Sequence, residues 1–275
     1  MARQPPVLEV VGLSKAFTTT PIFGRPTRSP VLRGVSLKVS AGGSVGLVGE
    51  SGSGKSTLVR CILGLEKADA GDIFFKGEPL NQQGRTATDK GEIQPIFQNP
   101  TSSLNPRRTV RQIIAEPLVV HSRFSAAERR SEVDRLLQLV GLPRDFAHRY
   151  PGQLSGGQCQ RVSIARAVAL RPALIIADEA TSALDVIVQH QIISLLLALR
   201  AEFGITMLFV SHNLAVTNIV CDEIAVMYKG EIVESGPAAR VIGEPSSAYT
   251  RNLVKSVPVL TVPKSRENAQ SRPVT

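Results

Sequence analysis

At 275 residues, with 43% hydrophobic residues and a formal net charge of +9, the chain can bury the core of one large α/β domain or of two small ones. Aromatic residues make up 4% and tryptophan is absent, which argues against stacking platforms for single-stranded nucleic acid, so we expect no nucleic acid partner. No uninterrupted apolar segment approaches the ~20 residues that span a bilayer, and the N-terminus lacks the apolar core of a signal peptide.

The basic charge and the cysteines constrain partners and compartment. Arginines are densest at residues 107–111 and 25–33, on a face that is either simply solvated or lies near anionic lipid headgroups. Cys61, Cys159 and Cys221 are widely separated and suggest neither a disulfide framework nor a metal site, so we expect them to be reduced and structural. We expect a cytoplasmic protein unless a partner holds it elsewhere.

The first third of the chain predicts strands and loops. Apolar or alternating patterns predict strands at residues 8–13, 35–39, 45–48 and 73–75. The stretch 18–30, rich in Thr, Pro, Gly and Arg, predicts a surface loop, and the polar stretch 81–91 predicts another.

Residues 99–152 favour helices instead, which predicts a helical subdomain inserted between two halves of an α/β domain. Ser125 and Glu128 have the spacing of a capping box. The apolar residues of the following helix share one face: Val133, Leu136, Leu137 and Val140. Gly141 and Pro143 supply stop signals.

The remainder of the chain alternates helices with buried strands. The patterns predict helices at 158–170, 186–203 and 213–220, buried strands at 173–177 and 206–210, and a hairpin of 224–228 with 231–234. The polar end, 265–275, predicts disorder.

The stretch from Gly49 to Thr57 matches the G-x-x-x-x-G-K-[ST] motif of a phosphate-binding loop. It follows a predicted strand and precedes a predicted helix, the context in which glycines aim backbone N–H groups at an anion. Lys55 would reach the β- and γ-phosphates of a nucleotide, and Ser56 would bind Mg²⁺.

Two acids end the apolar strand that runs up to Ala177. Paired acids at a strand end are about as often structural as catalytic, but these lie downstream of a phosphate loop. We therefore expect Asp178 to hold Mg²⁺ through water, and Glu179 to polarise the attacking water as general base.

Ser155 to Gln158 precede a helix and have two interpretations. Ser155 and Gln158 form a capping box by spacing, which is a purely structural role. A helix N-terminus with Gly156, Gly157 and a hydroxyl is also a second anion site. One chain needs one cradle for its triphosphate, so the second would serve a partner chain's nucleotide.

These motifs, together with residues 96–100, 182–185 and Ser211-His212, resemble the ATP-binding cassette (ABC) family across nearly the whole chain. Residues 101–107, 155–161 and 245–258 resemble its importer branch for oligopeptides, dipeptides and nickel. The resemblance implies an α/β fold: a P-loop NTPase (RecA-like) core with an antiparallel β subdomain and an inserted helical subdomain. It implies one ABC ATPase domain over 1–260, with the helical subdomain at about 99–157, a family-type segment at about 245–260 and a polar tail at 261–275.

The resemblance also implies residue roles. Gln98 would sense Mg²⁺ and the attacking water, and His212 would contact the γ-phosphate, although a lone His after a strand is usually a surface residue. Asp185 would touch the partner's phosphate loop, or merely start the next helix. Phe17 would stack on adenine, although Phe23 competes and a buried core Phe is the alternative.

The expected catalytic residues are Glu179, His212 and Gln98, and the expected Mg²⁺ ligands are Ser56, Gln98 and Asp178. The expected nucleotide-binding residues are Phe17, Gly49, Glu50, Ser51, Gly52, Ser53, Gly54, Lys55, Ser56, Thr57, Ser155, Gly156, Gly157, Gln158 and Asp185.

These features lead us to expect an ATPase subunit of an importer at the cytoplasmic face of the inner (plasma) membrane. Its expected partners are ATP, transmembrane permease subunits and a second ABC ATPase subunit, the same or a sister chain, in a head-to-tail pair that sandwiches two ATP molecules. Peptides are the leading solute, and nickel or small solutes such as opines are the alternative. A soluble cassette protein of DNA repair or translation is the rival, although such proteins typically carry a coiled-coil insert or two cassettes.

Overall fold

Two β-sheets form the framework of the fold within residues 5–20, 26–80, 89–121, 124–182 and 184–256, the part of the chain that this computed structural model describes. The strands are β1 (Leu8–Thr19), β2 (Thr27–Val39), β3 (Ser44–Val48), β4 (Ala70–Phe75), β5 (Glu78–Pro79), β6 (Ile93–Ile96), β7 (Leu174–Asp178), β8 (Thr206–Ser211), β9 (Glu223–Tyr228) and β10 (Glu231–Pro237). The smaller sheet is antiparallel, in the order β2-β1-β4-β5.

The larger sheet is predominantly parallel and has the order β10-β9-β3-β8-β7-β6. Strands β9, β3, β8, β7 and β6 run parallel, and β10 pairs antiparallel with β9. Every residue of β3 and β8 is buried, which explains their continuous apolar sequences. The two sheets confirm the predicted fold of a RecA-like core beside an antiparallel β layer.

Helices connect the strands of the larger sheet and fill the segment between β6 and β7. They are α1 (Lys55–Ile62), α2 (Asp89–Glu92), α3 (Pro100–Ser103), α4 (Val110–Val120), α5 (Ala126–Leu139), α6 (Gly156–Val168), α7 (Val186–Phe203), α8 (Leu214–Val220), α9 (Ala238–Gly243) and α10 (Ala248–Lys255). Short 3₁₀ helices span Arg144–His148 and Pro151–Gln153.

The helical insert forms as the sequence predicts. Ser125 Oγ accepts the Glu128 N–H at 3.3 Å, and Glu128 Oε2 accepts the Ser125 N–H at 2.7 Å, so the capping box is complete. The apolar face of α5 is fully buried: Val133, Leu136, Leu137 and Val140. The subdomain boundaries of about 99–157 and the segment of about 245–260 stay predictions, and the tail at 261–275 lies outside the described residues.

The prediction of a loop at 18–30 is wrong for most of the residues that the structure describes there, because 18–19 and 27–30 are strand, while 21–25 lie outside the described part of the chain. Strand β1 continues to Thr19 and β2 already begins at Thr27, with Phe17 opposite Ser29 and Ala16 opposite Pro30. Strand β2 lies at the edge of its sheet, where a proline that cannot donate a hydrogen bond is tolerated. The turn chemistry of this stretch misled the prediction, because a paired hairpin accommodates Thr, Arg and an edge Pro.

The predicted loop at 81–91 also needs a correction at its end. Residues 89–92 form the short helix α2, immediately before β6. Residues 81–88 lie outside the described part of the chain.

The expectation about membrane-spanning segments needs amendment at α7. Within the described residues, this 18-residue helix has a mean hydropathy of 1.4 and passes a length-and-composition test for crossing a membrane. A core helix passes the same test, and α7 connects the neighbouring parallel strands β7 and β8 and buries Ile192, Ile193, Leu196 and Leu199. These four residues serve the protein core, whereas Val186 and Ile187, in the first turn of α7, are exposed.

Cys61, Cys159 and Cys221 are all buried, which fits a structural role, and their reduced state stays a prediction.

Candidate nucleotide-binding site

The phosphate loop connects β3 to α1, as its motif predicts. Gly54 is the N-cap of α1 and has a φ of +110°, a conformation that side chains rarely adopt. At Gly49 an added Cβ would lie 2.1 Å from the carbonyl oxygen of Met227 in β9. Glycine is therefore required at one position by backbone conformation and at the other by the close approach of β9.

The side chains along the loop differ in exposure. Ser53 and Gly54 are buried, Thr57 is half-buried, and Glu50, Ser51, Gly52 and Ser56 are exposed. The Ser56 hydroxyl is thus accessible in the first turn of α1, where the motif predicts a metal ligand.

Lys55 folds back over the loop and is only 5% exposed. Its Nζ donates to the carbonyl oxygens of Gly49 at 2.7 Å and Glu50 at 2.9 Å. Burial lowers the pKa of Lys55, and the carboxylates of Glu179 and Asp178 oppose that shift. The positive charge of the Lys55 ammonium group therefore interacts with the carboxylates of both Asp178 and Glu179.

Asp178 and Glu179 occupy the end of β7 in different environments. Burial and then the neighbouring Glu179 raise the pKa of Asp178. One buried oxygen of Asp178, Oδ1, has no hydrogen-bond partner among the described residues. Glu179 has a φ of +47°, and its N–H donates to the Val210 carbonyl at 2.9 Å. Such local backbone strain clusters at functional sites.

His212 follows β8 and lies beside the acids. Its Nδ1 is 3.5 Å from Oε1 of Glu179, and its side chain is 57% exposed. The imidazole is thus accessible from solvent and close to the carboxylate that we expect to act as the base.

Gln98 follows β6 and is exposed. Strand β6 pairs in parallel with β7, with Ile96 opposite Ala177, so Gln98 and Asp178 both lie at the C-terminal ends of neighbouring strands. The phosphate loop and His212 likewise follow β3 and β8. One edge of the sheet therefore collects the loop, the acids, the His and the Gln, as expected for an α/β ligand site.

Residues 155–158 have two predicted roles, and the structure shows the structural one, the capping box. Ser155 Oγ accepts the Gln158 N–H at 3.3 Å, and Gln158 Oε1 accepts the Ser155 N–H at 2.9 Å. An added Cβ at Gly157 would lie 2.6 Å from Cγ1 of Val188, whereas one at Gly156 would lie 3.8 Å from its nearest neighbour, in Leu184. Gly157 thus serves the packing of α6 on α7, and Gly156 has room for a side chain.

Asp185 caps α7 and stands beside this second helix start. Its Oδ1 accepts the Val188 N–H at 2.9 Å, which is the helix-starting role that the sequence left open. The hydrogen bonds of the Ser155 and Asp185 caps stay within their own helices. The structure therefore brings α6 and α7 together at their N-termini, and a role toward a partner chain stays a prediction; Ala183 lies outside the described residues.

Phe17 lies near the end of β1 and is 39% exposed. The alternative of a buried core Phe is therefore wrong. The Nζ atom of Lys15 is 5.2 Å from the centre of the Phe17 ring. Stacking on adenine stays a prediction, and Phe23 lies outside the described residues.

Tyr249 is a residue at this site that the sequence did not reveal. Its hydroxyl accepts the N–H of Glu50, in the phosphate loop, at 3.1 Å, and its ring stacks on Tyr228 with centroids 4.1 Å apart. Residues 248–251 were part of the family resemblance, but that pattern assigns no role to a residue 199 positions from its partner.

Comparison with known proteins gives the family. The family model described as ABC transporter matches residues 32–182. The chain is 39% identical over 265 residues to the dipeptide transport ATP-binding protein of Haemophilus influenzae, covering 95% of this chain and 81% of that protein. It is 43% identical over 242 residues to the oligopeptide transport ATP-binding protein of Lactococcus lactis, covering 87% and 76%.

A glutathione import ATP-binding protein of Pectobacterium atrosepticum is 45% identical over 273 residues, and the chain spans 44% of that longer protein. Among solved structures, an ABC transporter component of Clostridium perfringens superposes with a TM-score of 0.73 at 27% identity, covering 87% of this chain and 92% of that one. A dimeric ATP-binding cassette in a post-hydrolysis state with ADP and Pi gives a TM-score of 0.72 at 30% identity, covering 84% and 98%. The chain belongs to the ABC transporter family and is an ATPase of the cassette type.

Proposed function

We propose that the chain is the ATP-hydrolysing subunit of an importer of oligopeptides or dipeptides, working in a head-to-tail pair with an identical or sister cassette. Its relatives carry the names of dipeptide, oligopeptide and glutathione import proteins, which supports a peptide as solute. The permease and the solute-binding subunits choose among such solutes, with nickel and opines as the alternatives.

One observation carries this proposal. The phosphate loop and both acids lie at the edge of the parallel sheet. Ser155 and Gly156 instead start a separate helix, and the hydrogen bonds of its cap involve no residue of the phosphate loop. A helix start with accessible N–H groups can hold an anion. We infer that the two groups of residues bind two different nucleotides, and that a partner chain completes each nucleotide-binding site.

Mg²⁺ fits the acid that ends β7. Asp178 offers a buried oxygen that lacks a partner among the described residues, and Ser56 offers an exposed hydroxyl in the first turn of α1. Across the described ranges, no group of three or more His, Cys, Asp or Glu side chains could hold a metal alone. Mg²⁺ suits this arrangement because it binds one or two carboxylates together with substrate phosphates. Asp178, Ser56 and Gln98 would hold it, and it would supply charge neutralisation at the phosphate oxygens.

Hydrolysis then uses the residues around Glu179. A water oxygen forms a bond to the γ-phosphorus while the bond from that phosphorus to the ADP oxygen breaks. Glu179 accepts a proton from the water, and His212, 3.5 Å from that carboxylate, orients the water and contacts the γ-phosphate. The Lys55 ammonium stabilises the negative charge of the transferred group.

A hydrogen bond provides a route from the site to the membrane subunits. The half-buried guanidinium of Arg166, in α6, donates through Nη1 to the Ser103 carbonyl at 3.0 Å. Ser103 ends α3, which begins two residues after Gln98, so α6 and the Gln98 segment are linked. Closure of the pair around ATP would move α6 and α3 together, and the permease would follow that motion from the cytoplasmic face of the inner (plasma) membrane.

Glu179→Gln tests the proposal. The variant should bind ATP, accumulate as a dimer in size-exclusion chromatography with Mg²⁺ and ATP, and lose about 10²–10⁴-fold in kcat, the range for removing a general base. Glu202→Gln is the matched control, because this exposed acid lies in the last turn of α7, toward the opposite edge of the sheet. ATP hydrolysis at the wild-type rate by Glu179→Gln would show that Glu179 is not the general base.

A further inference from the structure

The peptide group between Gly49 and Glu50 is held from both sides. Its carbonyl, on Gly49, accepts from Lys55 Nζ at 2.7 Å. Its N–H, on Glu50, donates to the Tyr249 hydroxyl at 3.1 Å. One side of this peptide thus faces the residue predicted to bind phosphate, and the other faces the C-terminal segment.

A peptide group is planar and trans, so its C=O and N–H point in opposite directions. Fixing the direction of the Glu50 N–H therefore also fixes the direction of the Gly49 carbonyl. That carbonyl is one of the two backbone oxygens that position the Lys55 ammonium, the other being on Glu50. Tyr249 can thus act on Lys55 without touching it.

Tyr249 is itself firmly placed. Its ring stacks on Tyr228, at the end of β9. The residues that precede Tyr249 are held as well, because the Glu234 carboxylate accepts the N–H groups of Ser246 at 2.8 Å and Ser247 at 3.0 Å. Burial raises the pKa of Tyr249, so the hydroxyl is neutral at neutral pH, and its oxygen accepts the Glu50 N–H.

Strand β9 and its turn hold other points of the loop. The N–H of Gly230 donates to the Ser53 carbonyl at 2.9 Å, and Gly49 packs closely on the carbonyl of Met227. These contacts set the loop on the strand, and Tyr249 adds the hydrogen bond that fixes the orientation of a single peptide group.

We propose that Tyr249 is a positioning residue for ATP binding: its hydroxyl orients the Gly49–Glu50 peptide and thereby the ammonium of Lys55. This proposal rests on the phosphate-binding role of Lys55 in the proposed function. It makes the C-terminal segment around α10 part of the nucleotide site of its own chain.

Tyr249→Phe tests this proposal in the full-length chain, because it removes the hydroxyl and keeps the stacked ring. Tyr228→Phe is the matched control, since it removes the other hydroxyl of the same stack. ATP affinity is measured by equilibrium binding, and KM and kcat are measured with Mg²⁺ and ATP. Hydrogen–deuterium exchange of the phosphate-loop peptide without nucleotide reports directly on the Glu50 amide.

Tyr249→Phe should raise the Kd and KM for ATP about two- to tenfold, the loss expected for one hydrogen bond, with kcat changed less than about twofold. Its loop amide should exchange faster, whereas Tyr228→Phe should match the wild type in every measurement. Unchanged Kd and unchanged exchange in Tyr249→Phe, or equal effects in both variants, would overturn the proposal. A wild-type chain that fails to bind ATP would instead overturn the proposed function.

Discussion

Replacing Glu234 by Gln tests how the C-terminal segment is anchored to β10. The Glu234 side chain is buried, and its two oxygens accept the N–H and the hydroxyl of Ser246, both at 2.8 Å, and the N–H of Ser247 at 3.0 Å. Gln keeps the shape but loses the charge, and it turns an NH₂ group toward these donors. We expect the variant to be less stable at neutral pH.

The magnitude follows from the ionisation of Glu234. Burial opposes the charged form, but the hydrogen bonds from Ser246 and Ser247 outweigh it and lower the pKa of Glu234 from 4.5 to about 2. That difference sets an upper bound of about 3 kcal/mol on the stabilisation at neutral pH. Because Ser246 is exposed to solvent, screening reduces our expectation to about 2 kcal/mol.

The sign of the pH dependence follows from the lowered pKa. A group whose pKa is lower in the folded state contributes fully to the stability of that state above its unfolded pKa, here 4.5. It loses this contribution as the pH falls toward about 2. The free energy of unfolding is measured by urea denaturation of the wild type and Glu234→Gln at about pH 7, 5 and 3.5. Glu231→Gln, on the exposed side of the same strand, is the control.

The wild type should exceed Glu234→Gln by about 2 kcal/mol at about pH 7 and 5, and by clearly less at about pH 3.5. Glu231→Gln should match the wild type throughout. If the two proteins are equally stable at neutral pH, or if their difference stays constant down to the lowest pH, an ionised Glu234 carboxylate does not anchor Ser246 and Ser247.

Further predictions concern packing and thiol reactivity. Gly157→Ala should cost about 1–3 kcal/mol in urea unfolding, because its Cβ would lie 2.6 Å from Val188, whereas Gly156→Ala has room and should not; equal costs would contradict the packing role. The pKa of Cys221 is raised to about 12 by burial, so this thiol should be alkylated at about pH 8 at least about 10²-fold more slowly in the folded than in the unfolded chain. Rapid alkylation of folded Cys221 would contradict this prediction and would show that the structure opens readily around the C-cap of α8.

The sequence predicts those parts of the fold that local patterns determine. The α7 bounds agree with the observed Val186–Phe203, because its continuous apolar face and the Asp185 cap are local signals. The Ser125 and Ser155 capping boxes form for the same reason. The phosphate loop and the acids at the end of β7 meet because parallel strands gather their C-terminal ends at one edge.

Contacts between distant segments could not be predicted in this way. The extension of β1 and β2 through residues rich in Thr and Arg depends on pairing across the hairpin, which overrides the turn propensity of Pro30. The hydrogen bond of Tyr249 to Glu50 depends on where α10 lies against β9, which no local pattern encodes.

Gly156→Asp tests the composite site most directly. A side chain fits there, since an added Cβ lies 3.8 Å from its nearest neighbour, and an acid is favourable in the first turn of α6. The new carboxylate should repel the partner's γ-phosphate while the variant's own phosphate loop is unchanged. The measurement is the ATP hydrolysis rate together with ATP affinity. The account predicts near wild-type ATP binding with hydrolysis nearly abolished; full-rate hydrolysis by Gly156→Asp would contradict a site shared between two chains.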